Sequence, residues 1–397
     1  MYRMQQLRDC LPGWSYFCLQ TEVVADEKKS FKQINDMGEL KLMKGNEALA
    51  EAAIRAGADA YFGYPITPQS EVIEYLMAEK PYDRTGMVVL QAESEIAAIN
   101  MIYGAAGAGK RVITSSSSPG VSLKQEGISY IAGAELPCVY ANVVRGGPGL
   151  GTIQPSQADY FQSTKGGGHG DYKQIVLAPA SVQEMSDFVK IGFDLAFQYR
   201  IPVLILSDGV IGQMMEKVEL FDQIPRLSDE EIAEKYAWAT TGKKKGTERR
   251  VITSLYLDSH KMEEHNLHLQ RKYKTISENE VRYELFDCDD AEYIIVAYGS
   301  SARIAQKAIQ IARKKGIKVG LLRLITLFPF PAKQMQELCK KGVKGWLAVE
   351  MSAGQMVEDV MLSVKGCAKV EHFGRYGGIV HTPEEVLHAL EEKIIGD

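Results

Sequence analysis

From residue 45 onward the apolar residues switch between two periods. Leu49, Ala52, Ala53 and Ala56 recur at helical spacing behind Asn46, a residue type suited to cap a helix, and Gly57 ends the run. The short apolar stretch 60–64 then reads as a strand. A helix from Pro68, a strand over 87–90, a helix over 95–103 and strands over 111–115 and 138–144 continue the alternation. Buried strands interleaved with helices predict an α/β fold, in which a parallel sheet carries helices on both faces. The run 201–209 reads as a late core strand of the same sheet, ending in a turn. Residues 217–290 are charged and polar, with an amphipathic helix near 260–274. A second, smaller alternating unit starts at 293–300 and continues through a helix over 302–315 and a strand over 318–322. The pattern divides the chain into a leader without sustained periodicity (1–40), a first α/β domain (41–216), a charged excursion and linker (217–290) and a second α/β domain (291–397).

Composition narrows the possibilities. The 397 residues are 45% hydrophobic and 24% charged, the balance of a globular protein. A net charge of -5 without a basic stripe argues against nucleic acid as the partner. The short basic cluster Lys243 to Lys245 with Arg249 and Arg250 reads as part of a solvated linker. The six cysteines (Cys10, Cys18, Cys138, Cys288, Cys339, Cys367) include no C-x-x-C pair, so no zinc or iron–sulfur site has a local scaffold. Six free thiols in a reducing compartment are expected. No stretch approaches the roughly 20 apolar residues of a membrane helix, and no secretory signal pattern opens the chain, so a cytoplasmic protein without membrane contact is the expectation.

Several segments offer chemistry. In 64–70 (YPITPQS), Thr67 is placed to cap a helix beginning at Pro68, and the free amides of such a terminus suit a carboxylate. In 93–98 (ESEIAA), two carboxylates open a helix directly after a strand. First-turn acids usually serve the helix dipole, but a buried one facing a cofactor would hold a proton. Gly104 to Arg111 nearly spells a phosphate loop, yet Arg111 replaces the hydroxyl residue that would hold magnesium, and the loop runs from helix to strand. The glycine-rich loop 146–151 follows a strand and places one cation, Arg145, at the strand end, where it can pair with a carboxylate. His260, His265 and His268 lie on the charged excursion and miss metal-site spacing by one residue, and His169 sits in a glycine loop with no local catalytic partner.

YPITPQS at 64–70, ESEIAA at 93–98, SSSSPG at 115–120, GGHGD at 167–171 and SDGVIGQ at 207–213, in this order and spacing, resemble the α-type subunit of 2-oxoacid:ferredoxin oxidoreductases. With MKGNEA at 43–48, the branched-chain (2-oxoisovalerate) type is the nearest match. RLITLFP at 323–329 and EMSAGQ at 350–355 resemble motifs of that family's second domain.

The resemblance implies the pyrimidine-type domain of a thiamine diphosphate-binding fold, followed by a smaller transketolase C-terminal-like α/β domain. It implies that Glu95 meets the ring nitrogen of the aminopyrimidine, that Pro65 lines the ring, and that Thr67 and Arg145 address the substrate carboxylate. The activity implied is coenzyme A-dependent oxidative decarboxylation of a 2-oxoacid to an acyl-CoA and CO2, with reduction of ferredoxin.

The sequence has no Gly-Asp-Gly followed 25 to 30 residues later by Asn, the usual magnesium-diphosphate signature, and no cluster cysteines. The resemblance therefore assigns the diphosphate half of the cofactor and Mg2+ to a β subunit. The iron–sulfur clusters fall to further chains, among them γ and ferredoxin-like δ subunits. Two other readings stand beside this one: the 2-oxoglutarate type of the same enzyme, which needs a second cation for the distal carboxylate, and a scaffold subunit without catalysis.

Overall fold

The computed structural model describes residues 39–243, 246 and 248–396. The leader up to residue 38, with Cys10 and Cys18, lies outside them, as do Lys244 and Lys245 of the basic cluster.

Seven strands form the larger sheet, in the order β12 (Thr326–Phe328), β6 (Ile175–Leu177), β7 (Pro202–Asp208), β5 (Cys138–Val144), β4 (Val112–Ser116), β2 (Ala60–Gly63) and β3 (Val88–Gln91). All neighbours run parallel except β12 and β6. Every residue of β4, β5 and β7 is buried, as the continuous apolar runs of central strands covered on both faces require. The edge strand β3 is largely exposed, Val88 and Leu90 included. A two-stranded antiparallel ribbon of β1 (Glu39–Lys44) and β8 (Met215–Leu220) flanks this sheet.

The second sheet has the order β14 (Lys369–Gly374), β13 (Gly345–Glu350), β10 (Tyr293–Tyr298), β11 (Val319–Leu324) and β9 (Tyr283–Phe286). It is parallel except for β9, which joins antiparallel to β11. The two sheets are tied together: β12 crosses back to the edge of the first sheet, and one apolar cluster contains both Tyr140 and Tyr160 of the first unit and Tyr298 and Trp346 of the second. Polar pins reinforce the junction. Gln157 donates to the Tyr298 carbonyl and accepts from Ser301 and the Met351 amide, and Asp208 accepts from the amide and hydroxyl of Ser300. The charged excursion packs its helix Ser259–Asn279 onto the first core through Leu269, Tyr273 and Ile276.

Three expectations are corrected. Asn46 is no cap: the helix Gly45–Arg55 starts one residue before it, and its buried amide donates to the Pro68 carbonyl (2.7 Å) and to Glu71 (3.0 Å). The helix after β2 begins at Ser70, with Gln69 as N-cap, so Thr67 caps nothing. The carbonyl of Pro68, which a helical residue would spend on its own ladder, is held by Asn46 and Gln213 instead. Finally, Cys339 and Cys367 form a disulfide, while Cys138 and Cys288 are free and buried. Helix Ala332–Lys340, which carries Cys339, packs beside helix Met356–Val364, and the turn after the latter brings Cys367 to it across 28 residues of sequence, which cysteine spacing alone does not reveal.

Candidate functional site

In a parallel sheet the carboxyl ends of the strands open onto one rim, and loops from that rim build ligand sites. Here β2 leads into the loop holding Pro65 and Thr67, and β3 leads into Glu95. From β4 the chain enters the helix Ser118–Gly133, and β5 is followed directly by Arg145. Residues 65, 67, 95 and 145, far apart in sequence, therefore share one rim.

Glu95 is the first residue of the helix Glu95–Gly107, whose N-cap Ser94 accepts from the Ala97 amide at 3.2 Å. The cap hydroxyl satisfies an amide of the first turn, leaving the Glu95 carboxylate free of that duty. Glu95 is only 6% exposed, whereas Glu93 lies open to solvent. This buried carboxylate makes no hydrogen bond to any other described residue. A carboxylate so little exposed is costly to leave without a partner.

The helix Ser118–Gly133 makes room for it. A Cβ on Gly120 would lie 2.6 Å from Glu95 Oε1 and 2.2 Å from Ser116 Oγ, and a Cβ on Gly127 would lie 2.5 Å from Ile99 Cγ2. Two glycines seven residues apart on one helix thus let it close onto Glu95 and Ile99, four apart on the other. Beside this contact, Ser116 Oγ and Ser117 Oγ are buried without a hydrogen-bond partner. The Glu95 carboxylate and the unpaired Ser116 hydroxyl therefore border one gap, kept open by the missing side chain of Gly120.

Arg145 and Thr67 are brought into direct contact. Arg145 Nη1 donates to the Thr67 carbonyl at 2.9 Å and Nη2 to the Leu150 carbonyl at 3.1 Å, while Nε is buried and unpaired. The Arg145 amide donates to Ser118 Oγ at 3.1 Å. Ser118 is fixed in turn by its amide, which donates to Asn142, and Asn142 donates to the half-buried Asp159 at 2.9 Å. Burial pushes the Asp159 carboxyl up, against the Ser118 and Asn142 hydrogen bonds that oppose it. A continuous path of contacts therefore runs Glu95, Gly120, Ser118, Arg145, Thr67. Thr67 is exposed and Pro65, two residues before it, is half-buried.

Sequence reading missed four residues that shape this rim. Asn46 and Gln213 hold the Pro68 carbonyl. Gln69, fully buried, accepts from Ser115, which also bonds Tyr61 at 2.8 Å. Lys124 is fully buried, its ammonium donating to Thr114 Oγ1 (2.7 Å) and the Ser115 carbonyl (3.1 Å). The signal for Lys124 was present: a lysine one turn after Gly120, on the same face as the apolar Val121, Ile128 and Ile131. The three histidines of the excursion gather no metal set. His265 contacts the Gly133 carbonyl (2.7 Å) and His268 contacts Glu135 (3.0 Å).

Residues 51–284 match the family model for pyruvate flavodoxin/ferredoxin oxidoreductase, thiamine diphosphate-binding, and residues 291–386 match that for pyruvate:ferredoxin oxidoreductase core domain II. The chain belongs to the pyruvate flavodoxin/ferredoxin oxidoreductase family. Among its relatives, the ketoisovalerate oxidoreductase subunit VorB of Methanothermobacter thermautotrophicus is 50% identical over 359 residues, 90% of this chain and 98% of that protein. The 2-oxoglutarate synthase subunit KorA of Methanocaldococcus jannaschii is 37% identical over 376 residues, 88% of this chain and 99% of that protein.

The 2-oxoglutarate:ferredoxin oxidoreductase of Magnetococcus marinus superposes with a TM-score of 0.78 at 25% identity, covering 90% of this chain and 66% of that chain. A split-gene transketolase, at 13% identity and a TM-score of 0.57, shares the fold. Family membership makes the first unit a thiamine diphosphate-binding domain, and the rim holding Glu95 is where its polar groups converge. The motif EMSAGQ at 350–355 acquires a structural reason as well: the buried Glu350 accepts from the amides of Gln355, Met356 and Val357 and so caps the helix Met356–Val364.

Proposed function

We propose that this chain is the pyrimidine-side subunit of a ferredoxin-dependent 2-oxoacid oxidoreductase, converting a branched-chain 2-oxoacid and coenzyme A to an acyl-CoA and CO2, with Glu95 as its catalytic carboxylate. The observation that carries this reading is the Glu95 carboxylate itself, buried at the sheet rim and bonded to no other described residue. The groups around it fit an aminopyrimidine: the carboxylate for the ring nitrogen, and the unpaired Ser116 hydroxyl at the same Gly120 gap. When bound, thiamine diphosphate supplies the carbon nucleophile for the 2-oxo group and the electron sink for decarboxylation.

This chain's own residues then do three things. Glu95 holds a proton at the ring nitrogen, which raises the acid–base reactivity of the exocyclic amino group across the ring. Pro65 lines the ring. Arg145 and Thr67 orient the substrate carboxylate: Arg145 has spent one N–H of each Nη on a carbonyl, so the second N–H of each remains for a carboxylate fork.

The diphosphate, its Mg2+ and the electron relay fall to partner chains in this reading, a β subunit for the first two and γ and ferredoxin-like δ subunits for the last. Among the described residues no group of three or more His, Cys, Asp or Glu converges as a ligand set. Exposed apolar side chains surround the rim, among them Tyr64, Leu90, Ile96 and Leu123, a surface suited to a partner that excludes water. Branched-chain specificity is favoured over 2-oxoglutarate by the higher identity to the ketoisovalerate subunits. Coenzyme A-dependent viologen reduction by the co-purified complex, with a panel of 2-oxoacids, tests this. Preference for 2-oxoisovalerate supports the proposal; preference for 2-oxoglutarate favours the alternative, and no turnover with any 2-oxoacid favours a scaffold. No helix among the described residues is long and apolar enough to cross a membrane.

A further inference from the structure

Lys124 has no part in the proposed chemistry, yet it is a lysine with no exposed surface, one helical turn from the glycine that abuts Glu95. Fully buried lysines are rare unless something compensates the charge. Its ammonium lies at the end of β4, on Thr114 Oγ1 and the Ser115 carbonyl, one residue before Ser116, whose hydroxyl faces the same Gly120 gap as Glu95 Oε1. The titratable groups that act on it are Glu95, from the neighbouring helix, and Cys138, from β5. Burial pushes the Cys138 thiol up to about 12, so at neutral pH it carries no charge. That leaves the side chain of Glu95 as the group whose charge acts on Lys124.

We propose that Lys124 is a positioning residue of the thiamine half-site, its buried ammonium serving as the counter-ion that keeps Glu95 a carboxylate and leaves their shared proton on the aminopyrimidine ring nitrogen. This rests on the reading of Glu95 given above. The direction follows from Coulomb's law: moving a proton from Glu95 to the ring carries positive charge away from Lys124, so the cation favours that transfer. Burial is the first influence on Lys124 and pushes it down to about 7, while Glu95 draws it back up. The counter-ion is therefore present in part near neutral pH and lost above it.

Two measurements test this. In the full chain without cofactor, a 13C-lysine titration by NMR follows Lys124, its signal assigned by its absence from K124M. Coupling is reciprocal, so E95Q lowers the Lys124 midpoint by about one pH unit. An unchanged midpoint overturns the proposal. In the complex with partner subunits, K124M lowers kcat at pH 7 roughly tenfold and removes the inflection near pH 7, while KM for the 2-oxoacid changes less than about twofold. A wild-type pH profile in K124M, alongside an inactive E95Q, overturns the role of Lys124 and leaves the function of Glu95 standing. A fully active E95Q overturns both.

Discussion

Arg145 Nη1 donates to the carbonyl of Thr67 at 2.9 Å, joining the loop after β5 to the loop after β2 across 78 residues of sequence. The bond, with that of Nη2 to the Leu150 carbonyl, holds the guanidinium at the rim. The two residues proposed for the substrate carboxylate are thus hydrogen-bonded to one another.

Arg145→Lys preserves the charge but cannot span the Thr67 and Leu150 carbonyls while presenting a fork. Its expected effect in the assembled complex is a rise in KM for the 2-oxoacid of about tenfold with a smaller change in kcat, measured by steady-state viologen reduction. An unchanged KM would remove Arg145 from the substrate site.

Gly120→Ala places a methyl group 2.6 Å from Glu95 Oε1 and 2.2 Å from Ser116 Oγ. The carboxylate must then leave its position. The chain is expected to fold, with turnover reduced about 100-fold or more, because a misplaced acid–base group forfeits its whole contribution. Circular dichroism of the variant together with turnover of the complex checks both halves of the statement.

Lys124 carries a stability consequence apart from catalysis. Its ordinary value is 10.5, and burial pushes it down to about 7 in the fold. Between those values the unfolded chain binds a proton that the folded chain does not, so stability falls as pH drops from about 10.5 to about 7 and levels off below. K124M is expected to abolish this slope and to be more stable than the parent at pH 7, by on the order of a few kcal/mol. Urea unfolding at pH 7 and pH 10 gives the comparison. Greater stability with lower turnover is the pattern of a residue retained for function.

His381 provides a second pH dependence, in the second unit. Both ring nitrogens are buried without a partner, and burial pushes it down to about 4, with Glu385 opposing. An unfolded histidine titrates near 6.5, so stability should fall as pH drops from about 6.5 to about 4 and then level off. Replacement by Phe, which suits the contact with Phe373, should flatten that part of the curve. Thermal unfolding across this pH range checks it.

Much of this rim was legible from residues alone. The alternation of helical runs with short, wholly buried runs revealed the parallel sheet, because β5 and β7, seven residues each, are too short for a buried helix and need no polar face. The Glu95 helix was legible because two acids follow directly on a strand and open an apolar run. Its burial was not, since Glu93 and Glu95 are alike in composition and only the Gly120 contact tells them apart. The start of the helix after β2 was misread at Pro68 because the competitor for its carbonyl, Asn46, lies 22 residues upstream. Lys124 escaped notice for a similar reason: a lysine in a helix is ordinarily a solvated residue, and its acceptors belong to another element.

Glu95→Gln is an isosteric change that removes the carboxylate and keeps the shape of the side chain. With the partner subunits assembled and thiamine diphosphate saturating, 2-oxoacid-dependent viologen reduction should fall at least about 100-fold while the complex co-purifies as before. Turnover within about twofold of the parent would show that the buried carboxylate takes no part in the chemistry.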